Sequence, residues 1–181
     1  TVDPSRRLCL VRLAETPATA VGSPGAGVAA LTAALDRSAV ALLGEQAGAA
    51  RFALEMARDY AKTRFQFGRA IGSFQAVKHM CAEMAARNEP CRSLVWYAAH
   101  AFDAVPEEAP LMACHAKSHL GETGRIIART ATEVHGGMGF TDLLGLHYWF
   151  KRIGFDRQIL GGPETVREEA ALLQGWIARA A

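Results

Sequence analysis

The residues best equipped for chemistry crowd the stretch KTRFQFGRAIGSFQAVKHM, from Lys62 to Met80. Arg64, Phe65, Gln66, Phe67 and Gly68 are followed by Arg69 and then by a fresh helix start near Ser73 and Phe74. A guanidinium offers a planar fork of donors suited to phosphate oxygens, a phenylalanine ring can lie against a heterocycle, and helix N-termini favour anions. A nucleotide's pyrophosphate and adenine would use all three. A plainer reading stands beside this one: Arg64 and Arg69 neutralise the carbonyls of a helix C-terminus, and Phe67 fills the end of a bundle. The residues alone leave both open.

Other chemistries find less support. GAGVAA, Gly25 to Ala30, matches the dinucleotide pattern G-x-G-x-x-A in form, but a proline-containing loop precedes it where a strand is required. A loop-to-helix start explains it. A di-iron centre in a helical bundle needs Glu-x-x-His pairs, and no glutamate here has a histidine three residues on. The six histidines (His79, His100, His115, His119, His135 and His147) therefore read as satisfied core or surface side chains, and no metal is expected. The cysteines, Cys9, Cys81, Cys91 and Cys114, lack C-x-x-C spacing, and three lie in helical apolar patterns, which reads as buried free thiols in a reducing compartment. No G-x-S-x-G elbow, Walker loop or H-E-x-x-H is present.

The elements that must carry these residues are helical. Val40, Leu43, Ala47, Ala50, Leu54, Ala57 and Ala61 recur at spacings of three and four, drawing one seam along a helix that ends near Arg64. Leu42, Ala49, Ala53, Met56 and Tyr60 draw a second stripe, so this helix packs between neighbours. A second helix is expected after Ser73 as N-cap, with Pro90 imposing a kink or dividing it in two. A third runs from about Leu111 to Val134 and stops at HGGMGF, where Gly136 and Gly137 can supply a left-handed cap. A shorter helix covers about Asp142 to Ile153, and the last begins at Pro163. Ser5 to Leu13 reads as one β-strand with no partner in the remaining sequence, so a sheet is missing. The expected fold is all-α, an up-down helical bundle with an N-terminal strand remnant; Thr1 in first position points to processing or truncation.

Composition bounds the partners. The 181 residues carry a net charge of only +2 at pH 7, with cations spread along the chain, so bulk attraction to nucleic acid or an anionic membrane is not indicated. No apolar run is expected to approach the roughly 20 residues of a membrane span, and a cytoplasmic location is expected.

Two runs, DYAKTRFQFGRAIGSFQAVKHMCAEM (Asp59 to Met84) and EVHGGMGFTDLLGLHYWFKR (Glu133 to Arg152), resemble the C-terminal helical domain of the acyl-CoA dehydrogenase family. DPSRRLCLVRL, Asp3 to Leu13, is similar to the last strand region of that family's middle β-domain. The resemblance implies that residues 1–26 are the end of a middle β-domain with its linker and 27–181 the helical bundle. It spans nearly all of this chain but only about the C-terminal half of a family member. It implies FAD at a subunit boundary, with Arg64 on the pyrophosphate of a neighbouring subunit's cofactor, Phe67 at the adenosine end and Gln75 adding a polar contact. Glu133, Gly136 and Gly137 would approach the same cofactor from another side. An acyl-CoA substrate, a homo- or hetero-oligomer of similar subunits and an electron-transfer flavoprotein as acceptor are implied likewise.

Two departures from the family stand out. Family members usually carry glutamine at Glu133, and a carboxylate beside a pyrophosphate is repelled unless protonated or turned away. The family's reaction needs a carboxylate base, yet Gly161 stands at its usual position and Ser38 at its other known one. No catalytic residue is therefore identified, and Asp36 and Glu164 are the candidates nearby. Three readings follow: a subunit lending its adenosine-side half-site to a catalytic partner, an active homo-oligomer with an unusual base, or a flavin-free bundle kept for protein interaction.

Overall fold

The computed structural model describes residues 2–178. Among them are five α-helices, α1 (Gly27–Thr63), α2 (Gln75–Ala104), α3 (Ala109–His135), α4 (Leu146–Gln158) and α5 (Pro163–Leu173), which form an up-down bundle. The two strands, β1 (Phe65–Gln66) and β2 (Arg69–Ala70), pair antiparallel between α1 and α2, with Phe65 opposite Ala70 and Gln66 opposite Arg69. α3 is the central helix, in contact with all four others.

The alanine seam explains the closeness of the packing. Ala49, Ala50, Ala53, Ala57 and Ala61 of α1 meet Ile127, Ala128, Ala131 and Val134 of α3, Met84 of α2, and Leu146 and Ile153 of α4 in one core cluster. Val40, Leu43, Cys91, Ala98, Ala113, Ala116 and Leu120 make a second cluster nearer the start of α1. Small side chains let helix axes approach, and large ones such as Leu43, Met84 and Ile127 fill what remains, each stabilising the fold by about 1.5–3 kcal/mol on burial.

A polar node lies inside this apolar frame. Lys117 is 1% exposed, and its ammonium donates to the carbonyls of Asp156 (2.8 Å) and Arg157 (3.3 Å) in the last turn of α4. Those carbonyls have no partner within their own helix, so Lys117 caps α4 from α3. The buried Gln46 amide donates to the carbonyl of Leu120 at 3.3 Å and ties α1 to the same turn of α3. Asp156 is fully buried, and neither of its carboxylate oxygens has a hydrogen-bond partner. Burial raises its pKa to about 6, and burial lowers that of Lys117 to about 8.

Several expectations are corrected. Residues 5–13 form no strand: Leu8, Leu10, Val11 and Leu13 are 66–80% exposed, because no neighbouring strand among the described residues takes their backbone hydrogen bonds. What holds the start of this segment is tertiary, with Asp3 and Ser5 bonded to Arg152 of α4 and Arg6 bonded to Glu45 of α1. α2 runs on through Pro90 as one helix, its packing on α1 and α3 offsetting the missing N–H. Ser73 is not the N-cap. It ends a 3₁₀ turn and donates to Ala70, while Phe74 occupies the cap without a side-chain bond. α4 begins at Leu146 and not near Asp142, since Gly145 at φ +67° lies in the left-handed region and ends the turn before it. α1 also overturns the expectation about apolar runs: it is long and apolar enough to cross a bilayer, with a window of mean hydropathy 1.3. Alanine, leucine and valine supply both that hydropathy and the helix-packing seam. Of the thiols, Cys91 is buried, Cys81 and Cys114 are half-buried, and Cys9 is exposed.

Candidate functional site

Two clefts carry the sequence-predicted residues, one near each end of α1. The first, of about 420 Å³, is lined by Tyr60, Arg64, Gln66 and Ile71 from the α1–hairpin corner and by Glu133 to Met138 from the end of α3. Four expected residues meet there: Arg64, Glu133, Gly136 and Gly137.

Local geometry explains the meeting. α1 stops at Arg64, whose N–H closes the last turn on the Tyr60 carbonyl and whose own carbonyl receives the N–H of Ile71. Phe67 and Gly68 both have positive φ, +53° and +75°, the pattern of a type I′ hairpin turn, and Phe67 is held there at the tip. α3 ends on Gly136, at φ +56° and ψ −139°, a region open in practice only to glycine and different from the expected left-handed cap. No atom lies within 4 Å of a Cβ placed on Gly136 or Gly137, so bare backbone faces open space. That is a surface on which a ligand could approach main-chain N–H groups.

His135 and Tyr60 were not singled out by sequence reasoning, yet they form the wall between these parts. Their rings stack with centroids 4.4 Å apart. His135 is buried, and its Nδ1 sits 2.7 Å from the Ala131 carbonyl, which can only accept, so Nδ1 carries the proton and Nε2 is the free acceptor. Burial lowers its pKa, so the ring is neutral at pH 7. The signal was available as Tyr60 one turn before Arg64 and His135 directly before the glycines.

Glu133 is turned toward Arg129, which donates to it at 3.1 Å. Phe67 and Gln75 are not among the residues lining this cleft. Phe67 is 91% exposed and meets Phe74 edge-on at 6.2 Å, with Arg69 stacked over Phe74 at 4.0 Å. Gln75 is exposed and pairs with His79 at 3.4 Å.

The second cleft, of about 270 Å³, lies between α1, α3 and the α4–α5 turn and is lined by residues that include Asp36, Cys114, Lys117, Leu160, Gly161 and Glu169. Leu160 and Gly161 have successive positive φ values of +59° and +98°. A leucine in that region is strained by about 1–3 kcal/mol, and any side chain at Gly161 would be strained too. The backbone thus favours glycine at 161. Asp36 is half-buried on this wall, and burial raises its pKa, with Glu169 adding to the rise and Arg37 opposing it. Glu164 does not line the cleft: it is exposed and accepts from Arg157 at 2.9 Å. Ser38 is exposed and donates to the Ala34 carbonyl at 2.7 Å.

Residues 25–171 match the family model described as the acyl-CoA dehydrogenase C-terminal domain. The chain belongs to the acyl-CoA dehydrogenase family. It is 36% identical over 166 residues to the acyl-CoA dehydrogenase IpdE2 of Mycobacterium tuberculosis, a match covering 92% of this chain and 48% of that one. It also resembles the solved structure of PigA with FAD and proline, at a TM-score of 0.80 and 28% identity, covering 86% of this chain and 40% of the other. A further likeness is to the ChsE4–ChsE5 complex from Mycobacterium tuberculosis, at a TM-score of 0.74 and 28% identity, covering 80% of this chain and 39% of the matched one. This acyl-CoA dehydrogenase family chain spans about half the length of the curated relative it matches.

Proposed function

We propose that this chain works as the helical portion of an FAD-dependent acyl-CoA dehydrogenase, which introduces a double bond α,β to the thioester of an acyl-CoA. On this reading residues 1–26 are the end and linker of a middle β-domain, 27–181 are the bundle, and the assembly acts in the cytoplasm.

The observation that carries the proposal is the first cleft: a guanidinium, Arg64, opposite the unobstructed backbone of Gly136 and Gly137. These parts fit the diphosphate of a dinucleotide, since a planar cation and main-chain N–H groups are what a phosphate's oxygens accept from. Glu133, the one carboxylate in the cleft, is drawn to Arg129 and so leaves Arg64 uncompensated by it. Phe67, almost wholly exposed at a fixed hairpin tip, is suited to pack on the adenosine end once a second subunit covers it. Gln75, one turn further, adds an exposed amide. FAD when bound supplies the hydride acceptor of the reaction.

This chain's own residues hold and orient. Arg64 and the glycines fix a diphosphate, Tyr60 and the neutral His135 brace them, and Asp36 is the carboxylate positioned to take a proton in the second cleft. Glu164 is set aside as a base because it is exposed and engaged with Arg157. The likeness to a two-chain complex supports assembly of similar subunits, homomeric or heteromeric. An electron-transfer flavoprotein is the natural acceptor for the electrons. The flavin-free interaction bundle remains the competing reading.

The test is flavin retention on purification. Arg64→Ala is expected to weaken binding by about 10- to 100-fold, the worth of a charge-assisted phosphate contact of about 1.5–3 kcal/mol. Undiminished flavin in that variant removes the nucleotide role of the corner, and no flavin in the unmodified assembly favours the interaction bundle.

A further inference from the structure

The second cleft holds a carboxylate with no role so far. Asp36 enters from α1 and Glu169 from α5, while α3 contributes Cys114 and Lys117; Leu35, Leu160 and Val166 make the rest largely apolar. Lys117 is no simple counter-charge here, because its ammonium is committed to the α4 carbonyls of Asp156 and Arg157. Arg37, beside Asp36 on α1, is the cation that opposes the rise of the Asp36 pKa, and it stacks on Phe102 at 5.1 Å. The thiol of Cys114 reports the sign of the field: burial first, then Glu169 and Asp36, push it up to about 11. Burial first, and then the neighbouring carboxylate of Glu169, disfavour the ionised form of Asp36 in this half-apolar cleft, so Asp36 holds its proton more firmly than a free carboxyl does.

We propose that Glu169 is a positioning residue for Asp36, facing it across the cleft so that a proton taken from a carbon acid stays on the Asp36 carboxyl. The inference rests on Asp36 being the base. In the step, the C–H bond next to the thioester carbonyl breaks, its electron pair stays with the substrate, and an O–H bond forms on Asp36. Glu169 touches neither substrate nor reacting carbon. It sets the proton affinity of the group that does, which is how one carboxylate tunes another toward the operating pH.

The experiment uses the flavin-loaded assembly containing this chain, with Glu169→Gln and Glu169→Ala compared with wild type. Cys114 alkylation by iodoacetamide, mapped by mass spectrometry, is expected to run about 3- to 10-fold faster at pH 8 in both variants, as the thiolate fraction rises. The acid limb of kcat/KM for a saturated acyl-CoA is expected to move to lower pH by about half a unit or more, and Glu169→Asp to restore the wild-type profile. An unmoved acid limb, with or without a faster Cys114, overturns the role of Glu169 and leaves Asp36 as base. Wild-type turnover by Asp36→Asn overturns both.

Discussion

Asp36 lies near the start of α1 and Arg64 caps its far end, about 28 residues and therefore about 42 Å away along the axis. At the first, two carboxylates and a thiol share a half-apolar cleft with a strained turn. At the second, a cation faces bare backbone and a neutral imidazole. One environment suits holding a proton, the other holding an anion. The two ends of α1 therefore hold separate sites of opposite character.

That contrast depends on α1 keeping its ends fixed against α3 and α4, and the node between them is where it breaks most easily. Lys117→Ala is expected to cost about 3–5 kcal/mol in urea denaturation, since it strips two α4 carbonyls of their donor and leaves only Arg152 and Arg6 to favour the buried Asp156 carboxylate. A loss under about 1 kcal/mol means the node is not what holds the helices in register.

The next effect is a pH dependence. The Asp156 pKa is raised on folding, to about 6, so between about pH 4 and 6 the folded chain holds a proton that the unfolded chain has released. Stability from this group is therefore fully present at low pH and falls as pH rises through 6, by about 3 kcal/mol in all. Lys117, lowered to about 8, works the other way: its cost is present below pH 8 and is relieved between about 8 and 10.5. Asp156→Asn is expected to remove the fall between pH 4 and 6 relative to wild type; identical profiles refute the assignment.

Smaller effects sharpen the anion end. Gly136→Ala forces an L side chain to φ +56° with an unfavourable ψ, costing about 1–3 kcal/mol in thermal unfolding, and is expected to reduce flavin retention even though no atom obstructs the new Cβ. Smallest is Glu133→Gln, which removes a carboxylate from the cleft while keeping its shape. Its pairing with Arg129 is exposed and weak, so stability should hold within about 0.5 kcal/mol while flavin retention rises a few-fold. A fall in retention would mean that the carboxylate itself is used.

Much of the frame was legible because helices declare themselves by local periodicity. The alanine seam, the stop at Arg64, the end of α3 at the glycines and the start of α5 at Pro163 all follow from spacing and backbone chemistry within a few residues. The gathering of Arg64, Glu133, Gly136 and Gly137 followed from the family resemblance and not from periodicity, since about 70 residues separate Arg64 from Glu133. The misses share a cause. Ser5 to Leu13 has a strand's pattern, but a strand exists only where another lies beside it. Pro90 has a breaker's chemistry, but packing on both sides carries the helix across it.

By itself the sequence determined which segments coil, where they stop, and which cations and glycines lie at the stops, because each depends on neighbours a few bonds away. Only the tertiary structure decided that Asp36 shares a cleft with Glu169 while Glu164 is turned to Arg157, that Lys117 caps a helix other than its own, and that His135 is neutral beside Tyr60. Those outcomes depend on distance through space and on exclusion of water, and neither quantity is written along the chain.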